Sequence, residues 1–401
     1  MNFCQSQRKM ADRSMINDFD TIVIGAGIQG SYTAYHLSKN KKALLIDQFA
    51  LPHSRGSSHG QTRIIRKSYN KACYTEMMTE CYQLWKQLEA EANAELFRQT
   101  GLLVLGTEED PEFQSMKSTL VVNKIPMESL TSEELSRRFP AVNLPKEVSA
   151  VLDKTAGTLY ADRALKTIQD LFRRLGGTIR DGEQVVDIQP GSLVTVTTTT
   201  GIYRAKSLVI TAGPWTNKLL KLVGLQLPLK TLRIVVCYWK EKVPGTYGIS
   251  KGFPCFIRIS RDTNQHHFYG LPSNEYPGLI KVCYHSGSGV DPDERDVIFQ
   301  QPSQDVKLVS DFLSEEFPGL DPKPSIVEYC MYTVTPDQDF ILDHHPEHSN
   351  IIIGAGFSGH GFKLAPVVGK VLCELSIGKK PSYNLSPFKI QRFQNNLKSL
   401  L

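Results

Sequence analysis

Two short glycine patterns stand near opposite ends of this 401-residue sequence. TIVIGAGIQG at residues 21–30 and IIIGAGFSGH at residues 351–360 each place Gly-x-Gly-x-x-Gly directly after an apolar run. Glycines at this spacing permit a tight strand-to-helix turn and a close approach of the backbone to a phosphate, and the helix N-terminus adds free N–H groups. The chemistry indicated is the binding of a phosphorylated ligand.

The first pattern has the full context of a dinucleotide-binding turn. Gly25 permits the tight turn, Gly27 permits the close backbone approach, and Gly30 lets the helix pack on the strand. The next apolar run, KALLIDQ, ends at Asp47, 20 residues after Gly27, where a carboxylate can accept a hydrogen bond from a ribose hydroxyl. We predict a dinucleotide site here.

The second pattern lacks part of this context. Gly354, Gly356 and Gly359 follow a strand and precede a helix, but no acidic residue closes a later strand. This segment therefore cannot build a second mononucleotide-binding half, although its helix N-terminus can still face an anionic or electron-rich group. One ligand contacted by both ends of the chain is the better interpretation.

The elements around these turns predict a mixed α/β fold. Strand–turn–helix patterns occupy both ends of the chain, Thr75 to Ala94 has helical periodicity, and residues 232–300 have the β-branched and aromatic composition of an antiparallel sheet. The polar segment at residues 51–69 is predicted to be a loop. We expect a Rossmann-like nucleotide domain made of discontinuous segments, with an inserted, mainly antiparallel β-sheet domain. The expected ranges are 18–98, 159–231 and 330–401 for the first, 99–158 and 232–329 for the second, and 1–17 for a disordered extension.

Composition excludes several classes of protein. The net charge of +5 does not come from a block of Lys and Arg, so nucleic-acid binding is disfavoured. No apolar run approaches the length that spans a bilayer. The eight cysteines contain no Cys-x-x-Cys pair, which argues against a zinc site and a disulfide scaffold. The cluster His344, His345 and His348 is not expected to bind a metal, because neighbouring histidines in a turn point in different directions.

Three longer motifs carry a family resemblance. HSRGSSHGQTRIIR (53–66), ITAGPW (210–215) and CMYTVTPDQDFILDHHPEHSNIIIGAGFSGHGFK (330–363) resemble the monomeric sarcosine oxidase family, and most strongly its animal peroxisomal branch. These enzymes are FAD-dependent amine oxidases of the D-amino-acid-oxidase superfamily. The resemblance covers about residues 19–390.

The resemblance implies FAD as cofactor, attached through its 8α-methyl group to the sulfur of Cys330. The remaining cofactor contacts that it implies, some already predicted from the first motif, are Gly25, Gly27, Gly30, Asp47, Ser57, Ser58, Thr62, Arg66, Val186, Gly213, Trp215, Gly356, Gly359, Gly361 and Lys363.

For the substrate, the resemblance implies a site beside the flavin. Arg63 and Lys363 are the predicted carboxylate ligands, because a guanidinium binds a carboxylate with two hydrogen bonds and an ammonium adds a point charge. Arg66, three residues after Arg63, is predicted to be supportive. Strand alternation points Lys281 the same way as His285, and the family assigns oxygen activation to this lysine. The predicted substrate-cavity residues are Tyr269, Tyr332, His59 and His285.

The implied reaction is oxidation of a secondary amino acid. A hydride equivalent passes to flavin N5, the imine is hydrolysed, and O2 is reduced to H2O2. Sarcosine would yield glycine and formaldehyde, and L-pipecolate would yield Δ1-piperideine-6-carboxylate. The alternatives are an FAD oxidase of glycine or D-amino acids, an NAD-dependent dehydrogenase, and a non-enzymatic binding module.

The expected setting also follows from the resemblance. The chain ends in Ser399-Leu400-Leu401, which departs from the usual small–basic–Leu peroxisomal signal in its middle residue. Residence in the peroxisome, with its import receptor as partner, is expected, and the cytoplasm is the alternative. The family name implies a monomer.

Overall fold

The structure is a computed structural model that describes residues 17–259, 267–274, 276–297 and 304–393. These ranges contain twenty strands: β1 (Asn17–Ile24), β2 (Ala43–Asp47), β3 (Thr62–Ile65), β4 (Phe97–Gln99), β5 (Leu102–Thr107), β6 (Met127–Leu130), β7 (Val148–Asp153), β8 (Gly157–Tyr160), β9 (Thr178–Asp181), β10 (Val185–Gln189), β11 (Val194–Thr198), β12 (Ile202–Ile210), β13 (Lys230–Glu241), β14 (Cys255–Arg258), β15 (Phe268–Leu271), β16 (Leu279–Tyr284), β17 (Ser288–Gly289), β18 (Leu320–Val334), β19 (Ile341–His344) and β20 (Ile351–Ala355). The α-helices of the same ranges are α1 (Ile28–Ser38), α2 (Ala72–Ala92), α3 (Pro111–Val122), α4 (Ser132–Arg138), α5 (Ala161–Arg174), α6 (Thr216–Leu220), α7 (Gln304–Glu316) and α8 (Ala365–Ser376).

The first sheet has eight strands and contains both glycine turns. Its main path is β10-β11-β12-β1-β2-β9, and β20 pairs in parallel with the end of β12 while β19 pairs with β20. Every residue of β2 and β20 is buried, because apolar runs in a parallel sheet are covered on both faces. The predicted strand–turn–helix at each end of the chain is therefore present.

The helices that follow the two glycine turns pack against each other. A Cβ atom on Gly369 of α8 would lie 2.6 Å from the Cβ of Tyr32 in α1, so the glycine permits a close approach. At the other end of the contact, the Gln29 side-chain amide donates to the carbonyl of Gly361 at 2.9 Å. The two ends of the sequence thus meet at one place in the fold.

The second sheet has nine strands and is mainly antiparallel. Its path is β17-β13-β16-β15-β14-β5-β7-β6, with β18 on the other edge of β13, and the pairing of β14 with β5 is parallel. Its core contains Trp239, Phe256 and Phe317, all almost fully buried. The predicted mixed α/β fold with an antiparallel sheet is confirmed.

A third, small sheet corrects one prediction. The segment at residues 51–69 was expected to be a loop, but Thr62–Ile65 forms β3, which pairs with β8, and β8 pairs with β4. The partner β8 lies about a hundred residues away, so a four-residue strand made by tertiary pairing leaves little local signal in a polar segment.

The division into two domains remains a proposal. The first sheet draws its strands from the ranges proposed for the nucleotide domain, and the second sheet draws most of its strands from the inserted ranges. The proposed boundary at residue 330 falls inside β18, which belongs to the second sheet, so a boundary after Val334 follows the sheets better.

Candidate active site

A cavity of about 910 Å³ begins at the carboxyl ends of β1 and β2. This is the edge of a parallel sheet where nucleotides bind in open α/β folds. The predicted cofactor residues that line it are Gly25, Gly27, Asp47, Ser57, Ser58, Val186, Gly213, Trp215, Gly359 and Gly361.

The first glycine turn is sterically tight. Gly25 has a φ of +101°, and a Cβ on Gly30 would lie 1.9 Å from the carbonyl oxygen of Gly25 and 2.6 Å from Oγ1 of Thr211. Asp47 is buried, and its carboxylate accepts from the amide of Ala26 at 2.8 Å and from the amide of Phe49 at 2.9 Å. Gly30 therefore lies beneath the turn and lines neither of the cavities described here, while Asp47 closes the turn from the second strand.

Thr211 was missed by the sequence analysis, although it belongs to the motif ITAGPW. Its hydroxyl donates to the carbonyl of Ile24 at 3.0 Å, and its methyl group would be 3.3 Å from a Cβ on Gly354. It thus lies between the two glycine motifs. Gly356 lies outside both cavity walls, and its missing side chain leaves room for the methyl group of Thr335 instead.

A second cavity of about 670 Å³ adjoins the first and contains every predicted catalytic side chain. The residues that line both cavities are His59, Gly60, Arg63, Tyr332, Ser358, Gly359 and Phe362. The predicted residues on the second cavity alone are Thr62, Arg66, Tyr269, Lys281, His285, Cys330 and Lys363. These side chains come from β3 and the residue after it, from β15, from β16 and the residue after it, from β18, and from the turn before α8, so the small three-stranded sheet and the nine-stranded sheet both contribute to the cavity.

Arg63 and Arg66 have different surroundings. The guanidinium of Arg63 donates to the carbonyls of Thr62 (2.7 Å), Ser57 (3.0 Å) and His59 (2.5 Å), the last two of which lie in the loop that precedes β3. The guanidinium of Arg66 lies 4.3 Å from the ring centre of Tyr69, and its buried Nη1 has no hydrogen-bond partner. Arg63 therefore shapes the loop, whereas Arg66 keeps a donor for a ligand.

Lys363 extends this cationic cluster. Its ammonium is 5.8 Å from the ring centre of Tyr69 and donates to the carbonyl of His360 at 3.3 Å, and the residue is buried. Burial, and then the neighbouring charges of Arg66 and Arg63, hold the pKa of Lys363 well below its ordinary value. A bound carboxylate would relieve this repulsion, so the cluster fits an anionic ligand group.

The same cavity also carries neutral polar groups. The Tyr332 hydroxyl and Nδ1 of His285 are 3.3 Å apart, and the ring of Tyr269 meets that of His285 edge-on at 5.7 Å. Burial lowers the pKa of His285 to about 3, and burial followed by the charge of Arg63 lowers the pKa of His59 to about 4. Both rings are neutral at physiological pH.

Lys281 and Cys330 lie close to the segment from Ser57 to Thr62, which contributes to the walls of both cavities. The buried ammonium of Lys281 is 3.4 Å from the carbonyl of Thr62. The buried thiol of Cys330 is 3.8 Å from the carbonyl of Ser57. Since Ser57 lines the first cavity and Cys330 the second, this thiol stands at the junction between them.

The arrangement fits FAD on geometric grounds. A cavity that starts at a tight glycine turn beside a buried carboxylate suits the adenosine and pyrophosphate, and it leads to a wall shared with the cavity that holds the thiol and the cations. Ser58 adds a restriction, because its hydroxyl already accepts from the first amide of α1, that of Ile28, at 3.0 Å. Within this turn the amides of Ala26 and Ile28 are thus both bound to side chains of the protein.

The structure also bears on the cysteines, the histidine cluster and membrane-spanning helices. All seven cysteines within the described ranges are free thiols, and Cys4 lies outside those ranges. No group of three or more His, Cys, Asp and Glu in the described part of the chain could hold a metal ion, and the rings of His345 and His348 stack at 4.7 Å. No helix among the described residues is both long and apolar enough to cross a membrane.

Comparison with known proteins agrees with the site. A family model for the FAD-dependent oxidoreductases called DAO matches residues 20–375, and the chain belongs to this family. Several proteins similar in sequence to this chain are sarcosine oxidases. The chain is 57% identical to human peroxisomal sarcosine oxidase over 377 residues, which cover 94% of this chain and 96% of the relative.

More distant relatives agree. The chain is 35% identical over 386 residues to monomeric sarcosine oxidase from Bacillus sp. (strain B-0618), covering 94% and 97% of the two chains. The solved structure of NikD, an unusual amino acid oxidase, has the same fold, with a TM-score of 0.81, 23% identity, and 93% and 97% coverage. The resemblance to the sarcosine oxidase family and the use of FAD are confirmed, and the alternative of an NAD-dependent dehydrogenase loses its support.

Proposed function

We propose that this protein is an FAD-dependent oxidase of secondary amino acids that uses O2 and releases H2O2. The observation that carries the proposal is the second cavity, which is lined both by a cationic cluster and by neutral hydrogen-bonding groups and which shares part of its wall with the nucleotide cavity. A zwitterionic amino acid has a carboxylate that can bind the cationic cluster and an amine that can bind the neutral groups. Sarcosine and L-pipecolate are the two substrates that we favour.

The substrate carboxylate is held by Arg66 and Lys363. This changes the expectation that Arg63 would act with Lys363, since the Arg63 guanidinium donates to three backbone carbonyls while Arg66 has a buried donor without a partner. A charge-assisted hydrogen bond to that donor is strong, and it also compensates the burial of the two cations. Arg63 acts by fixing the loop that contains Ser57 and His59.

The amine is held by Tyr332, His285 and Tyr269. The low pKa of His285 keeps its ring neutral, so these groups offer no counter-charge to an ammonium. The positive cluster of Arg63, Arg66 and Lys363 also disfavours a positive charge on the substrate amine. Both effects lower the pKa of the substrate amine, and the amine is held in the deprotonated form that can be oxidised.

Bound FAD would supply the redox chemistry, as the acceptor of a hydride equivalent from the carbon next to the amine and then as the donor of two electrons to O2. The chain's contribution to the second step is Lys281, whose buried ammonium lies close to the segment from Ser57 to Thr62. A fixed positive charge stabilises the negative charge that develops on oxygen without transferring a proton.

We further propose that Cys330 holds FAD through a thioether. Its support is the position of the thiol at the junction of the cavities, together with the motif that begins at Cys330. A covalent bond would prevent dissociation of the cofactor.

A rate comparison tests the proposed reaction. Purified enzyme is assayed for oxygen consumption and peroxide with sarcosine, L-pipecolate, L-proline, glycine and D-alanine. We expect kcat/KM for sarcosine or L-pipecolate to exceed that for D-alanine and glycine by about a hundredfold or more, the discrimination expected of a site shaped to one substrate class. Faster turnover of D-alanine or glycine would favour the alternative oxidase.

The setting is proposed from the relatives. Human peroxisomal sarcosine oxidase supports residence in the peroxisome, and the name monomeric sarcosine oxidase supports a monomer that acts on a small substrate. The tripeptide Ser399-Leu400-Leu401 and the extension before Asn17 lie outside the described residues. An N-terminal fluorescent fusion with and without residues 399–401 tests import through a peroxisomal receptor, and a cytoplasmic signal for both would contradict it.

A further inference from the structure

A fully buried carboxylate stands behind the cationic cluster. Asp153, the last residue of β7, has no exposed surface and lines neither cavity. One oxygen, Oδ2, accepts from the amides of Lys67 and Ser68 at 3.0 and 3.2 Å. The other, Oδ1, accepts from the amide and hydroxyl of Thr155 at 3.0 and 2.7 Å. Four hydrogen bonds offset the cost of burying this charge.

The two amides that Asp153 binds belong to the residues between Arg66 and Tyr69. β3 ends at Ile65, so this segment leaves the small sheet directly before Arg66. Arg66 in turn rests on the ring of Tyr69 at 4.3 Å. Fixing the two amides therefore fixes the backbone at both members of this stacked pair.

The second member of the pair also contacts the other cation. The Tyr69 ring centre is 5.8 Å from the ammonium of Lys363, and Tyr69 is buried. The face of an aromatic ring attracts cations, and this attraction offsets part of the repulsion between the two positive groups. The position of Tyr69 thus affects both proposed carboxylate ligands.

We propose that Asp153 is a positioning residue for the substrate carboxylate. It joins the nine-stranded sheet to the Arg66–Tyr69 segment, and through the amides of Lys67 and Ser68 it holds Arg66 and Tyr69 in the arrangement that leaves a guanidinium donor free for the substrate. This inference rests on the proposed function, because it assigns a support to the same carboxylate site.

The test is Asp153→Asn in the FAD-loaded enzyme. An asparagine has only one side-chain oxygen, so either the Lys67 and Ser68 amides or the Thr155 donors lose their acceptor. We expect KM for sarcosine to rise about tenfold while kcat stays within about threefold, since a misplaced ligand weakens binding more than the chemistry at the other end of the substrate. The Kd of propionate, a carboxylate without an amine, should rise by a similar factor in calorimetric titration.

Glu316→Gln is the matched control. Glu316 is also a buried carboxylate, it accepts from the guanidinium of Arg258 at 3.0 Å, and neither residue lines either cavity. This variant should lower Tm without changing KM or the propionate Kd. If Asp153→Asn lowers Tm and likewise leaves KM and Kd unchanged, the positioning role is wrong.

A double-mutant cycle tests whether Asp153 acts through Arg66. In an Arg66→Ala background, Asp153→Asn should change the propionate Kd much less than it does in the wild type, because only the path through Tyr69 to Lys363 remains, and a fully additive effect would contradict the proposal. If Asp153→Asn does not fold, Thr155→Val, which removes one donor to the opposite oxygen, should raise KM about twofold, and an unchanged KM there would count against it. Wild-type enzyme that does not oxidise secondary amines would refute the proposed function before any variant is compared.

Discussion

The two cavities are built in different ways. The first is centred on the turn of one strand–turn–helix–strand unit and on a second turn of the same type, and α5 and the segments next to β10 and α6 complete its wall. In the second, the predicted catalytic side chains come from five segments that only the tertiary fold brings together. Residue spacing therefore specifies the centre of the first cavity, its glycine turn and Asp47, whereas for the second cavity it supplies candidate residues without their geometry.

The arginine pair shows the consequence. Arg63 and Arg66 are neighbours in one short motif, yet Arg63 donates to three backbone carbonyls and Arg66 stacks on Tyr69 with a donor unpaired. Nothing in TRIIR distinguishes the two roles. The difference arises because β3 ends between them, after Ile65, and the chain then turns toward the second sheet.

The largest expected effect is at the junction of the two cavities. Cys330→Ser should abolish flavin fluorescence in the acid-precipitated protein, because a serine hydroxyl does not replace the thioether. Cys283→Ser is the matched control, since Cys283 is also a buried cysteine in the second sheet, and it should retain the flavin. Covalent flavin in the Cys330 variant would show that the attachment site is elsewhere.

The second effect separates the two half-reactions. Lys281→Met should slow the reaction of the reduced enzyme with O2 by about 10² to 10³-fold, the usual effect of removing one preorganised electrostatic group. Reduction by substrate should change far less, because Arg66 and Lys363 remain in place. Stopped-flow measurement of each half-reaction checks this, and equal slowing of both would mean that Lys281 has been misassigned.

The third comparison concerns the arginines. Arg66→Ala should lower kcat/KM for sarcosine by about a hundredfold, which corresponds to roughly 3 kcal/mol of charge-assisted hydrogen bonding. Arg63→Ala leaves the carbonyls of Ser57, His59 and Thr62 without their donor and should lower Tm and flavin retention more than substrate binding. A larger rise in KM for the Arg63 variant would show that Arg63 and not Arg66 binds the substrate carboxylate.

The fourth comparison is between the two glycine turns. A Cβ on Gly30 meets the backbone oxygen of Gly25 at 1.9 Å, whereas a Cβ on Gly354 meets the end of the Leu372 side chain at 2.7 Å. Backbone cannot yield as a side chain can, so Gly30→Ala should lower the free energy of unfolding by about 3 kcal/mol and Gly354→Ala by about 1 kcal/mol. Denaturant unfolding measures both, and equal losses would show that the two turns have the same tolerance.

These contrasts also explain how much of the molecule could be predicted from sequence. The glycine turns, Asp47 and the β-rich middle of the chain follow from local patterns, and the mixed α/β fold was confirmed. The strand Thr62–Ile65 could not be predicted because its pairing partners are distant in the sequence. Tyr69 and Asp153 had no signal at all, since one is an ordinary tyrosine near an arginine and the other ends a strand of the second sheet.

The smallest expected effect is a loss of stability at acid pH, to which one histidine in the second cavity and one histidine on α1 both contribute. Burial lowers the pKa of His285, in the second cavity, to about 3, and that of His36, on α1, to about 4. Both histidines take up a proton near pH 6.5 in the unfolded chain but not in the folded one. Stability is therefore complete above about pH 6.5 and falls as the pH drops toward 4, by at most about 1.4 kcal/mol per pH unit for each histidine.

Replacing either histidine should remove the uptake of one proton on unfolding, so the free energy of unfolding should depend less on pH in this range. His36→Asn should do so without changing propionate binding, because His36 contacts the carbonyl of Pro366 between α1 and α8, outside both cavities. His285→Asn should flatten the curve and also raise KM, because the amine loses a neighbour. Denaturation midpoints between pH 5 and 7.5 provide the measurement. An acid dependence unchanged in both variants would mean that the two rings titrate alike in the folded and unfolded chains, and the neutral amine site would then lack its basis.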